Sequence, residues 1–149
     1  MPNEFSDLIA KLDALKGDAL KKAERKALTE VGQIVKTAIV ERTPVQSGVA
    51  EGLLKPGELA ANIKAAVHIA SDKSTTTGDV SSVTIGPGTA VTRSVANWVE
   101  NGHANARATK GKKTTDPHPF IRVAQDATQQ QAIDAYAATM TAEVTKALN

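Results

Sequence analysis

Cysteine is absent from the 149 residues, which excludes a disulfide scaffold, a thiolate metal site and a cysteine nucleophile together. Aromatic side chains are almost as scarce. Phe5, Trp98, Phe120 and Tyr136 are all there are, 3% of the chain. No stretch approaches the roughly 20 apolar residues that a membrane span needs. The start, Met1-Pro2-Asn3-Glu4-Phe5, has neither the basic n-region nor the apolar h-region of a signal peptide, so the chain reads as one made and kept in the cytosol. A dominant charge is missing as well: 18 Lys and Arg face 16 Asp and Glu, a net charge of +2. The field of the whole molecule is therefore weak, and any contact with nucleic acid has to rest on local clusters.

What remains is an ordinary soluble composition, 41% hydrophobic and 23% charged, in a chain of single-domain size. At this length folding buries about two-thirds of the unfolded surface. The packing material is thin, because much of the apolar content is alanine and each fully buried large side chain contributes only about 1.5–3 kcal/mol. The expectation is one domain over residues 1–149, with flexible loops at about 44–57 and 103–117, that gains stability from a partner subunit.

Hydrophobic spacing sets the order of elements. Ser6 is a fitting N-cap for a short helix over 6–15, with Leu8, Ile9, Leu12 and Leu15 at helical spacing and Gly17 as the interruption. A longer helix follows from Asp18 to about Arg42, with Leu20, Ala23, Ala27, Val31, Ile34, Val35, Ala38 and Ile39 on one stripe. Over residues 4–42 as a whole the charges nearly cancel and read as a solvated face. Thr43-Pro44 ends it, since the residue before proline is pushed out of the α region. Pro44 to Gly57 is rich in Gly and Pro and reads as a loop.

After a short turn at Gly57-Glu58-Leu59, the alternation of Ile63, Ala65, Val67 and Ile69 with polar or small neighbours predicts a strand with one buried face. Val80 to Ile85 predicts a second, closed by Gly86-Pro87-Gly88. The polar loop between them suggests an antiparallel pair. Thr92 to Asn101 reads as a helix capped by Gly102. His103 to Pro117 has no apolar periodicity and carries Arg107, Lys110, Lys112 and Lys113 against Asp116 alone, a basic loop expected to be mobile in the free subunit. Pro119 suits the start of a last long helix. Its stripe is Phe120, Ala124 and Ala127 early and Ile133, Tyr136, Ala137, Met140, Val144 and Leu148 later, joined out of register at Gln129-Gln130-Gln131. Helices, then strands, then a helix predict an α+β fold: a small antiparallel sheet with a long N-terminal helix and a C-terminal helix packed on one face.

Catalysis calls for converging ionisable groups, and the three histidines do not supply them. His68 lies on a strand, His103 at a helix end and His118 between prolines, without the i, i+4 spacing or cysteine company of a zinc site. Ser94 and His103 lack the glycine pattern of a nucleophile elbow. Gly111-Lys112 looks like the end of a phosphate loop, but Ala106 stands where the earlier glycine belongs and Lys113 where Ser or Thr would hold magnesium. Gly86-Pro87-Gly88 reads as a turn, because proline removes a donor that a phosphate cradle uses. No catalytic, cofactor-binding or metal-binding residue is expected, and no cofactor.

Three segments taken together resemble a known family. They are Thr43-Pro44 after a long helix, Val95-Ala96-Asn97-Trp98-Val99-Glu100-Asn101-Gly102, and His118-Pro119-Phe120-Ile121-Arg122 opening the last helix. Their order is similar to that in the tail-completion, or head-to-tail joining, proteins of long-tailed double-stranded-DNA bacteriophages. Gly57-Glu58-Leu59, the strand Ile63 to Ile69 and the strand ending Ile85-Gly86 match the elements between. Val95 stands where the family has tyrosine, His103 where it has threonine, and Val123 where a proline often follows. The resemblance implies a virion structural protein without catalysis, made in the host cytoplasm. It would form a ring, commonly a hexamer, between the connector or head-completion protein and the tail tube or terminator protein, with the genomic DNA passing through it.

For the subunit or partner interface the candidates are Trp98, Glu100, His103, Arg107, Lys110, Lys112 and Lys113. Trp98 fits either a core or an interface anchor. Glu100 fits a solvated or capping acid or an intersubunit partner, and Phe120 a core plug. The competing reading is a DNA-binding accessory protein using Lys110, Lys112 and Lys113 with the basic helix of residues 21–26, which would show a steep fall of affinity with salt. A small hydrolase would need a pocket that the sequence does not display.

Overall fold

The computed structural model describes residues 17–45, 54–71, 79–104 and 114–148. The expected short helix at 6–15, the middle of the 44–57 loop and the basic residues Arg107, Lys110, Lys112 and Lys113 lie outside them. Within them the chain is mixed α+β and mostly helical. Helix α1 spans Asp18–Arg42, α2 Glu58–Ala61, strand β1 Ile63–His68, β2 Ser82–Pro87, α3 Ala90–Asn101, β3 His103–Ala104, β4 Thr114–Thr115 and α4 Ile121–Leu148.

Local chemistry sets each boundary. Gly17, at φ 83°, opens α1, its carbonyl accepting the Lys21 N–H at 3.1 Å. At the other end Thr43 closes the helix on itself, its hydroxyl donating to Ile39 O at 2.7 Å before Pro44 forbids a further turn. Helix α3 begins two residues earlier than its apolar spacing suggests, because Thr89 is an N-cap. Thr89 Oγ1 accepts the Thr92 N–H at 3.2 Å and the Thr89 N–H donates back to Thr92 Oγ1 at 3.1 Å, a reciprocal box with threonine in the place usually held by Glu or Gln.

Strands β1 and β2 pair with each other. The Gly88 N–H donates to Asn62 O at one end of the pair and the Ala70 N–H to Ser81 Oγ at the other, so they run antiparallel. The buried face expected of β1 is shorter than its alternation implies. Ile63 is buried, Val67 is half-buried and Ala65 is exposed. The polar stretch after Gly102 also holds order that its composition hides: β3 and β4 form a two-residue antiparallel ladder, His103 opposite Thr115 and Ala104 opposite Thr114.

The fold divides into two compact units. The second unit takes, of the described residues, 34–45, 54–65, 85–104 and 114–129. Its core is Ala38, Ile39, Leu59, Ile63, Ala96, Phe120 and Ala124, with Val35, Val40, Leu54, Ile85, Val95, Val99 and Ile121 packed partly against it. Phe120, 2% exposed, is the core plug expected of it. Three of the seven buried core residues are alanine, so the apolar burial per residue is small.

The first unit takes 17–33, 66–71, 79–84 and 130–148. Here α1 and α4 pair antiparallel. Lys26 bonds Glu143, and one turn on Thr139 bonds Glu30. Ala23 and Ala27 are buried on α1, whereas on α4 Tyr136, Met140, Val144 and Leu148 are only half-buried.

The inward row of α4 differs from the expected stripe. Ala127 and Ala137 are exposed, Ile133 is 54% exposed, and Thr128 is buried in their stead, its hydroxyl turned onto Ala124 O at 2.8 Å. Phe120, Ala124, Thr128, Ala132, Tyr136, Met140, Val144 and Leu148 form one continuous i, i+4 row, all buried or half-buried. Such a row drifts about 40° around the helix per step. A search for one straight stripe breaks it in two at the glutamines.

Candidate functional site

Three of the sequence candidates fall on described residues, and Gly102 sets their geometry. Helix α3 ends at Asn101, Gly102 takes φ 72°, and the chain turns at once into β3. A Cβ at Gly102 would lie 2.5 Å from Thr115 O. Both the left-handed backbone and the close approach of β4 therefore require glycine. This tight exit places His103 against the helix it has just left. Its ring stacks on Trp98, centroids 5.3 Å apart and planes 29° from parallel. His103 Nδ1 is buried there without a hydrogen-bond partner among the described residues, so the contact is one of ring faces.

Trp98 is not a core residue. It is 38% exposed and lies on the same side of α3 as Val91, 46% exposed, and the half-buried Val95. The i, i+4, i+7 spacing of these three makes one apolar face. Val91 was missed by a helix begun at Thr92. Thr89, three residues before a second threonine, was the sequence signal that would have included it.

Glu100, two residues beyond Trp98, faces inward. Its Oε2 accepts the N–H of Phe120 at 2.7 Å and of Ile121 at 2.9 Å, and its Oε1 accepts the N–H of Arg122 at 3.1 Å. These are orphan donors at the start of α4, where the helix dipole also favours negative charge. Glu100 is thus a capping acid supplied by a different helix. Burial pushes its carboxyl up, but the amides of Ile121, Phe120 and Arg122 and the Arg122 guanidinium outweigh that and hold it below the ordinary 4.5. Nearby, the His118 N–H donates to Val99 O at 2.7 Å, a second tie between the end of α3 and the approach to α4.

Elsewhere His68 Nε2 lies 2.7 Å from Asp79 Oδ1, and Asp79 Oδ2 accepts the Ser71 N–H at 3.0 Å. That arrangement closes the ends of the polar loop. Among the described residues no three His, Cys, Asp or Glu side chains gather as a metal site, and no helix is long and apolar enough to cross a membrane. The structure thus brings Trp98 and His103 together as a surface and sets Glu100 beneath it as a structural tie.

Residues 6–102 match the model of a protein family described as "Bacteriophage HK97-gp10, putative tail-component". The match ends at Gly102, so the Trp98 helix lies within it and the His118-Pro119-Phe120 segment beyond it. No curated protein and no solved structure matches the chain.

Proposed function

The chain belongs to this bacteriophage tail-component family, and on that premise we propose that it forms a closed ring of identical subunits, six in number, at the head-to-tail junction. The coarser role, a structural component of the phage particle, comes with the family. In the finer reading the ring completes the tail and joins it to the connector, genomic DNA passes through it, and it performs no catalysis.

The observation that carries the reading is the apolar face of α3. Val91 and Trp98 stand exposed and Val95 half-buried on a helix whose adjoining side carries Thr92 and Ala96 into the interior. Tryptophan is an enriched interface anchor, and here its ring stacks on that of His103. A ring needs two different complementary surfaces on each subunit, because a self-complementary patch stops at a dimer. The α3 face with His103 supplies one of them, together with Arg107, Lys110, Lys112 and Lys113 of the adjoining loop. Strand edges or α1 supply the other.

Native mass spectrometry of the assembled protein, with tails present as template, tests the ring. Six copies are expected, and Val91→Asp should lower ring yield while leaving the unfolding midpoint of the free subunit unchanged. A stable dimer, or rings indifferent to Val91→Asp, would contradict the proposed surface.

A further inference from the structure

A small opening lies within the second unit, at the end of strand β2 and on the flank of α3 away from Trp98. Pro87, Ala96 and Ile121 give it an apolar floor, and the exposed Arg93, Asn97 and Asn101 stand at its rim, around a space of about 190 Å³. A cavity of about 150 Å³ holds benzene, so this one has room for the six-membered ring of an indole. Glu100 also lines it, but its oxygens are taken by three amides of α4 and the Arg122 guanidinium lies 4.0 Å away. Arg93 takes part in no ion pair among the described residues. The unopposed charge at the rim is therefore positive.

We propose that this opening receives Trp98 of the next subunit, and is the part of the strand edge that serves as the second ring surface. The inference rests on the ring reading above and names the contact between its subunits. Three observations favour this occupant. Of Trp98, Phe120 and Tyr136, only Trp98 is exposed. The charges are complementary, because the electron-rich face of an indole attracts a guanidinium such as that of Arg93. A partner for the indole N–H is also at hand, as a docked tryptophan needs: Asn101 Nδ2 donates to Asn97 Oδ1 at 2.8 Å, which leaves the Asn101 oxygen to accept. Finally, Trp98 and the opening lie on one helix about 120° apart, at about 100° per residue, so a copy docked through its tryptophan keeps its own opening for a third. Such a contact is heterologous and propagates until it closes.

Arg93→Glu tests the contact at an exposed site. In native mass spectrometry with tails present as template it should lower the yield of rings about tenfold or more, and it should leave the unfolding midpoint of the free subunit unchanged. Arg93→Lys, which keeps a cation over the ring, should hold the yield within about twofold. Mixing supplies the second arm. Trp98→Ala has the opening without the tryptophan and Arg93→Glu the tryptophan without a working opening, so neither should assemble alone. Together they should give mixed dimers of one copy each, since one good junction remains per pair. Absence of mixed dimers would overturn the proposal, as would dimers of Arg93→Glu alone, which would show Trp98 packing on a second Trp98. Normal rings from Arg93→Glu would overturn it while sparing the ring reading, because the opening would then serve a foreign protein or nothing. A parent protein that forms no rings would reject the ring reading and this contact together.

Discussion

The Glu100 carboxylate accepts the backbone N–H of Phe120 at 2.7 Å across 20 residues of sequence, and through it the end of α3 holds the start of α4. With Ile121 and Arg122 the same carboxylate satisfies three N–H groups that a helix start leaves without partners. Phe120 itself is buried in the core, so the cap also fixes where that ring enters.

Removing the carboxylate should therefore destabilise the protein. Glu100→Ala is expected to cost about 1–2 kcal/mol, the range for a lost N-cap, and Glu100→Gln less, since it keeps one acceptor oxygen. Urea unfolding monitored by circular dichroism measures both. A change within about 0.5 kcal/mol for Glu100→Ala, the level of an ordinary surface substitution, would show that the cap does not hold α4.

The same carboxylate sets a pH dependence. Its folded-state pKa is held below the ordinary 4.5, so its stabilisation is complete above that value and is lost as pH falls through the depressed one. Between about pH 5 and pH 2 the parent protein should lose more stability than Glu100→Gln, which has no proton to take up. Parallel curves for the two would remove Glu100 from the account of acid sensitivity.

Gly102 and Gly17 separate two costs. Gly17→Ala meets only the left-handed backbone, about 1–2 kcal/mol for a residue with a Cβ. Gly102→Ala adds a methyl 2.5 Å from Thr115 O and should cost distinctly more, while breaking the ladder between His103 and Thr115. Trp98 is the single tryptophan, so its fluorescence reports the loss of the His103 stack directly. Equal costs at the two glycines would contradict the close packing of β4 on Gly102.

Burial along α4 gives a contrast between two large apolar residues. Phe120→Ala should cost about 3–5 kcal/mol, whereas Ile133→Ser, at a site 54% exposed, should stay within about 0.5 kcal/mol. A large loss at Ile133 would mean that the inward row of α4 runs through it after all.

Much of this architecture is legible in the sequence because it rests on local chemistry. Thr43-Pro44 ends α1, Gly102 ends α3, and the spacing of Leu20, Ala23 and Ala27 marks a helix. Two kinds of feature escape. The cap by Glu100 joins residues 20 apart, and nothing in the helix pattern of either element distinguishes that acid from a solvated one. The buried row of α4 drifts around its helix, so Ile133 reads as inward and Thr128 as outward when the reverse holds. Of the candidate surface, Trp98 and His103 were legible one by one. Their stacking was not, since it follows from the positive φ of Gly102 and the short ladder to Thr115.

The central claim is that the protein joins heads to tails, and deletion of its gene in the phage tests it most directly. Electron microscopy of lysates from the deletion should show filled heads and complete tails accumulating unjoined, with joining restored when the protein is supplied in trans. Fully joined, infectious particles formed without the protein would contradict the account.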